Sequence, residues 1–278
     1  MARTSVAERL VAARDPRSKA VPVDDAALPK TLAEAYRVQD EVVRLTAAGG
    51  WGRAVGRPVL GRPWGWKVAA ASVGAMRWHK IGEPIRGRMF AGGLMQSPAK
   101  LPAGRYRPCL IEPEIAFTIG RELPPRAKPY TPAEVAAGVA TCHPAMEIAA
   151  SAYGDRDWAK AKLGPSVADN IAHAGLVLAE GRRDFGRFDL AALRVELYVD
   201  GKRHSVGQGA NALGSPLYSL TWLLNSLCRD GLGLRQGEVV TTGLLTGVVA
   251  LHPGQRAEAF YGPFGACRVS LEDGGKQH

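Results

Sequence analysis

The sequence predicts an α+β fold, with a small helical N-terminal part attached to a mixed, strand-rich body. Two stretches near the start, 4–14 and 31–47, carry helical periodicity. From about Trp66 onward, short apolar runs alternate with Gly, Pro and Asp-Gly turns, the pattern of strands. A single longer amphipathic stretch after Ser215-Pro216 interrupts that pattern.

Taken in order, Thr31 is a helix cap with Glu34 three residues on, which predicts a capping box at the start of the second helix. Its apolar positions, among them Leu32, Ala35, Val38 and Val42, fall mainly on one stripe. Residues 15–29 read as a polar, proline-containing connection. Residues 49–66 are too rich in Gly and Pro to continue a helix, and lead into a strand near Trp66–Ala71. Residues 109–119 form a strand candidate ended by Gly120, and Thr131-Pro132 opens a short helix through about Val139. Further strands are expected at 143–150, 174–179, 194–199 and 202–207, with Asp200-Gly201 as the hairpin turn between the last two. The helix from Ser215 is stopped by Gly231 and Gly233, and strands at 238–242, 247–251, 256–260 and 266–271 close the chain.

The chain has 278 residues, 46% hydrophobic and 22% charged, an ordinary balance for a protein with a real core. No stretch approaches the roughly 18–20 apolar residues of a membrane helix. The charged N-terminus lacks the apolar middle of a signal peptide, so a cytoplasmic location is expected. The net charge of +10 is spread along the chain without a basic run or an aromatic-interleaved motif, which argues against a nucleic-acid partner. The 4 cysteines include no CxxC pair, which disfavours a zinc site of usual spacing and a disulfide framework. Cys142 and His143 are adjacent on an expected strand and point to opposite faces, so Cys142 reads as a buried structural thiol.

Glu112 and Glu114 stand at i and i+2 on a strand, so both carboxylates leave one face while Ile111, Ile115 and Phe117 share the other. Two carboxylates this close repel unless a cation sits between them. A hard divalent ion is the natural partner, with Glu147 on the next apolar strand as a third ligand. The same spacing is met by the wet face of a half-exposed sheet, so the residues alone leave both readings open. Lys67, in an aromatic setting, is either a group that polarises a carbonyl or a snorkelling surface lysine. Asp169-Asn170 is either an acid near the site or a turn that bonds its own backbone. Thr241–Gly247 offers hydroxyls and N–H groups to a carboxylate, or is an ordinary turn. Phosphate-loop, dinucleotide and serine-hydrolase signatures are missing.

Seven stretches in order resemble the 2-keto-4-pentenoate hydratases of the fumarylacetoacetate hydrolase superfamily. They are Thr31 to Gln39, Gly65-Trp66-Lys67, Glu112-Pro-Glu-Ile-Ala-Phe117, His143-Pro-Ala-Met-Glu-Ile148, Val167-Ala-Asp-Asn170, Gly214-Ser-Pro216 with its helix, and Thr242-Gly243 with Thr246-Gly247. The resemblance implies a mixed β roll, barrel-like, over residues 65–278, covered by a helical segment 1–64. It implies Mg²⁺ or Mn²⁺ held by Glu112, Glu114 and Glu147, with Lys67 as a catalytic and substrate-binding residue. It also places Asp169 and Thr246 near the pocket, Asp169 as the candidate for water activation and Thr246 for substrate binding.

The implied reaction is addition of water to a 2-hydroxy-2,4-dienoate, giving a 4-hydroxy-2-oxo acid. The alternatives are decarboxylation of 4-oxalocrotonate type and acylpyruvate C–C hydrolysis. The implied partners are a small anionic 2-oxo acid and further copies of the chain. The stretch 68–84 departs from the family pattern. It is expected to form the lid, which leaves the distal end of the substrate open, and His79 and Glu83 within it read as surface residues.

Overall fold

The computed structural model describes residues 4–14, 28–49, 61–106, 108–153 and 163–273. The connection expected at 15–29 and the Gly/Pro-rich stretch before the first strand lie largely outside these residues.

Two helices open the chain, α1 (Val6–Ala13) and α2 (Leu32–Ala47). Thr31 and Glu34 close the expected capping box on α2, and Ser5 with Glu8 closes another on α1. The apolar stripes of the two helices meet, Leu10 and Val11 packing with Val42.

Then come β1 (Pro63–Ala69), α3 (Val73–His79), β2 (Ile85–Phe90), β3 (Leu94–Gln96), β4 (Ala99–Leu101) and β5 (Cys109–Ile119). They are followed by α4 (Pro132–Ala136), β6 (Val139–Ala149), α5 (Leu163–Ala168), β7 (His173–Leu178), β8 (Arg194–Val199) and β9 (Lys202–Gln208). The last elements are α6 (Pro216–Arg229), β10 (Val239–Thr241), β11 (Val249–Leu251), β12 (Arg256–Phe260) and β13 (Ala266–Leu271).

The span of β5 agrees with its expected bounds, as do those of β8, β12 and β13. The helix expected to run from Thr131 to about Val139 ends at Ala136, because Val139 already pairs with Ile119 as the start of β6. Strand β6 therefore begins four residues earlier than its apolar run announces. Asp200 and Gly201 both take positive φ, 47° and 77°, as a two-residue hairpin turn requires.

The larger sheet runs β2-β1-β10-β5-β6-β7-β3, with β11 also on β5; the smaller runs β4-β13-β12-β8-β9. Neither closes into a barrel among the described strands. The two sheets share one core, built from Ile111, Ile115 and Phe117 of β5 with Leu197, Ala257 and Val269 of the smaller sheet. The buried Tyr261 hydroxyl ties the layers by donating to the Ala145 carbonyl at 2.5 Å. No described helix is long and apolar enough to cross a membrane.

One irregularity positions the site. Strands β10 and β11 pair with the same edge of β5, β10 opposite Ala116–Thr118 and β11 opposite Cys109–Ile111. Between them, residues 242–248 swing away from the sheet. They touch β5 through the Thr242 N–H to Ile115 (3.2 Å) and the Leu245 N–H to the Pro113 carbonyl (2.9 Å). Pro113 suits this place: the N–H it lacks would face the gap rather than the β6 ladder.

Candidate metal centre and active site

Antiparallel pairing of β5 with β6 sets Glu112 directly opposite Glu147, and Glu114 lies two residues on along the same face. One oxygen from each carboxylate comes within 4.8 Å of the others, a grouping that could hold a metal ion. Glu114 and Glu147 are buried and Glu112 is half-buried. The neighbouring parallel pair β1–β10 puts Lys67 opposite Thr241, which is itself opposite Ala116, so Lys67 rises from the same face. Its ammonium donates to Glu147 Oε1 and to the Ile171 carbonyl (3.1 Å). Two of its three N–H bonds are thus used, and the third is left for a ligand oxygen.

With all three carboxylates ionised, the charges in this cluster do not balance without a further cation. Burial works to lower the Lys67 pKa, but Glu147, Glu112 and Glu114 hold it above the usual lysine range. Burial works to raise Glu147, but Lys67 and the hydrogen bond from His173 hold it below the usual carboxylate range. Glu112 is pushed up to about 7 by burial and by the charge on Glu147. Glu114 is pushed well above the ordinary range by burial, Glu147 and Glu112. Lys67 thus serves one carboxylate, and three carboxylates against one ammonium leave two negative charges. A dication matches that charge.

The donor set fits such an ion in kind as well as in charge: hard carboxylate oxygens suit Mg²⁺, Mn²⁺ or Ca²⁺. Among the described residues, Glu147 Oε2 is buried without a hydrogen-bond partner. A buried carboxylate oxygen left bare is costly unless a cation reaches it. Glu114 is aimed by its backbone neighbour, Gly243 N–H, at 2.8 Å from its Oε2.

The cluster opens into a cavity of about 440 Å³, whose walls include Lys67, Glu112, Glu114 and Thr246. Beyond the carboxylates the wall is formed mainly by small and apolar residues, Ala69, Ala71, Ala75, Ile85, Leu110 and Leu244 among them. Thr246 lines this space, and its hydroxyl donates to the Gly247 carbonyl at 3.2 Å.

Asp169, expected beside the pocket, is not among the residues that line it. It is fully buried, and both its oxygens are engaged: Oδ1 by Arg14 at 2.5 Å, Oδ2 by Ala152 N–H at 2.9 Å and Ser151 at 3.2 Å. A carboxylate so occupied holds structure in place.

The stretch 68–84 forms the rim of the cavity. Its helix α3, capped by Ser72, has Ala75 and His79 on the cavity wall and Trp78 in solvent. His79 is thus part of the pocket and more than a surface residue, and burial lowers its pKa. Glu83 points elsewhere, bonded to Trp222 Nε1 and to Arg229. Cys142 is a buried free thiol held protonated by burial, and His143 bonds Thr118, Thr141 and the Ala179 carbonyl, so no nucleophile–base pair forms.

Three contributors escaped sequence reasoning. His173 donates from Nδ1 to Glu147 Oε1 at 2.9 Å, and burial lowers its pKa. Arg14 reaches the site's back from α1. Gly243 lies in the Thr241–Gly247 run that offers N–H groups to a carboxylate, but the carboxylate it meets is that of Glu114. The family-like run Val167–Asn170 ends three residues before His173, the nearest available signal.

The family model of the fumarylacetoacetate hydrolase C-terminal domain matches residues 92–272. A 2-keto-4-pentenoate hydratase from Paraburkholderia phymatum is 30% identical over 269 residues, 97% of this chain and 97% of that protein. A 4-oxalocrotonate decarboxylase from a Pseudomonas species is 30% identical over 68% of this chain and 71% of its own. Among solved structures, the 4-oxalocrotonate decarboxylase of Pseudomonas putida G7, complexed with magnesium and adipate, superposes with a TM-score of 0.78. It is 24% identical and covers 97% of this chain and 100% of that one. The matched span and the full-length likeness place this chain in the fumarylacetoacetate hydrolase family.

Proposed function

We propose that this protein is a divalent-metal-dependent hydratase that adds water to a 2-hydroxy-2,4-dienoate and releases a 4-hydroxy-2-oxo acid. The observation that carries the reading is the buried cluster of Glu112, Glu114 and Glu147 beside Lys67, opening on an apolar cavity. Its full-length similarity to a 2-keto-4-pentenoate hydratase supports the same reading.

The three glutamates would hold the ion, Mg²⁺ or Mn²⁺. When bound, it supplies Lewis-acid chemistry toward the carboxylate and 2-oxo oxygens of a 2-oxo acid. Lys67 orients Glu147 with one N–H and is itself held by a second on the Ile171 carbonyl. Its third N–H donates to the substrate oxygen on which negative charge builds during protonation and attack at the diene. Burial makes that contribution larger than it would be in water, because the ammonium cannot be solvated instead. Thr246 lies where its hydroxyl can bond the substrate's carboxylate end. The small side chains Ala69, Ala71 and Ala75, with Ile85 and Leu110, exclude water from the diene and accept an uncharged tail.

The charge of the cavity wall also separates this reading from its nearest rival, decarboxylation of a diacid such as 4-oxalocrotonate. Among the described residues lining the cavity, Lys67 is the one Lys or Arg, and Glu147 already holds it. A second substrate carboxylate would lie against a mainly alanine wall, where burial holds His79 toward its neutral form, at a desolvation cost that an uncharged tail avoids.

Product mass tests the proposal. Purified protein is incubated with 2-hydroxypenta-2,4-dienoate and, separately, with 4-oxalocrotonate, with and without Mg²⁺. The expected result is Mg²⁺-dependent gain of one water by the first substrate. Loss of carbon dioxide from the second, without hydration of the first, supports the decarboxylase. Turnover of neither, with metal present, rejects both.

A further inference from the structure

The turn that leads into β7 has an unusual backbone. Asn170, Ile171 and Ala172 all take left-handed φ, at 52°, 53° and 54°. Three successive residues with side chains in this region are strained, and the β-branched Ile171 most of all. Such a backbone persists only where its surroundings hold it. The middle of this turn and the residue after it both serve the metal centre: the Ile171 carbonyl accepts from Lys67 (3.1 Å), and His173 Nδ1 donates to Glu147 (2.9 Å).

One guanidinium holds the turn at both ends. Arg14 Nη1 donates to the His173 carbonyl (2.9 Å), and Nη2 donates to the Asp169 carbonyl (2.6 Å) and to Asp169 Oδ1 (2.5 Å). The Arg14 side chain is only 9% exposed. It brackets residues 170–172 as a planar fork, a geometry that a lysine ammonium cannot copy. Asn170 adds a clamp from the side, its amide bonding both the N–H and the carbonyl of Arg88 on β2.

We propose that Arg14 is a positioning residue for the metal centre. It clamps the left-handed turn so that Ile171 and His173 hold Lys67 and Glu147 in place. This rests on the reading that Glu147 helps to bind a divalent cation. Arg14 stands outside the span 92–272 matched by the family model, so α1 becomes a working part of the site and more than a cover over it. Helix α1 is docked independently by Ala7, Leu10 and Val11 against Val42, so removing the guanidinium leaves its apolar anchor intact.

A double-mutant cycle on the full chain tests this, with Mn²⁺ affinity read by electron paramagnetic resonance and melting temperature recorded in parallel. The proteins are wild type, Arg14→Gln, His173→Gln and the double variant. Because partners of metal ligands set ligand geometry, each single change is expected to weaken Mn²⁺ binding by about 10- to 100-fold. The double variant should lose clearly less than the product of the two losses, since Arg14 acts through His173. An Arg14→Gln affinity within about twofold of wild type, or full additivity in the double variant, overturns the proposal. Should Arg14→Gln fail to fold, Arg14→Lys serves: it keeps the charge and loses the fork, and unchanged affinity again overturns the clamp. A wild-type protein that binds no Mn²⁺ rejects the metal reading itself, and the clamp with it.

Discussion

Lys67 and Glu147 show why residue type alone did not announce this site. An isolated lysine among aromatics is usually a surface residue, and a pair of glutamates at i and i+2 is usually a wet strand face. What separates the two cases is burial, and burial depends on strands far away in sequence. The pairing of Glu112 with Glu147 comes from the β5–β6 register, which places the third carboxylate opposite the first. His173 and Arg14 carried no local signal, because each acts across more than twenty residues of sequence. Conversely, Asp169 stood in a legible run and is bonded by Arg14, Ser151 and Ala152 behind the cavity wall. At this scale Lys67→Met separates binding from chemistry. Removing the ammonium leaves the carboxylates more negative, so Mn²⁺ affinity should hold or rise. Turnover should fall by about 10²- to 10³-fold with the lost charge stabilisation. A variant that keeps near-wild-type kcat removes Lys67 from the reaction.

The elements explain why the site sits in mid-sheet. Where a continuous strand would pair with β5, the gap between β10 and β11 lets segment 242–248 turn the Gly243 N–H onto Glu114. The apolar periods of β5, β12 and β13 were readable, because each has a clean alternation or run. Strand β2 was not, since Arg86, Gly87 and Arg88 mask the alternation that buries Ile85, Gly87 and Met89. Helix α3 was hidden for a related reason: it has no buried residue, so no apolar stripe marks it. The segment 242–248 depends on Gly243, which takes φ 105° and whose N–H holds Glu114. A Cβ there would lie 2.8 Å from that of Ala71. Gly243→Ala is therefore expected to cost about 1–3 kcal/mol of stability through backbone strain. It should also weaken Mn²⁺ binding, because Glu114 loses its aim. Calorimetric unfolding with a parallel metal titration measures both, and unchanged values in the two would show that the loop does not position the carboxylate.

At the scale of the molecule, the division into helical N-terminal part and strand-rich body was legible, as was the family. The arrangement in two open sheets was not, because register and strand order are set by long-range pairing. The sheets share a core on one face of β5, which leaves the other face for the carboxylates. Helix α1 then closes the back of that face through Arg14, and α3 rims the front. The distal wall, mainly small and apolar, sets an expectation for an uncharged substrate tail. All of this rests on the buried carboxylates being a cation site. The most direct check is Mn²⁺ titration of the metal-free protein, comparing wild type with Glu114→Gln at equal melting temperature. The account predicts one tight site per chain in the wild type, lost in Glu114→Gln without loss of fold. Equal Mn²⁺ binding by the two proteins would contradict it.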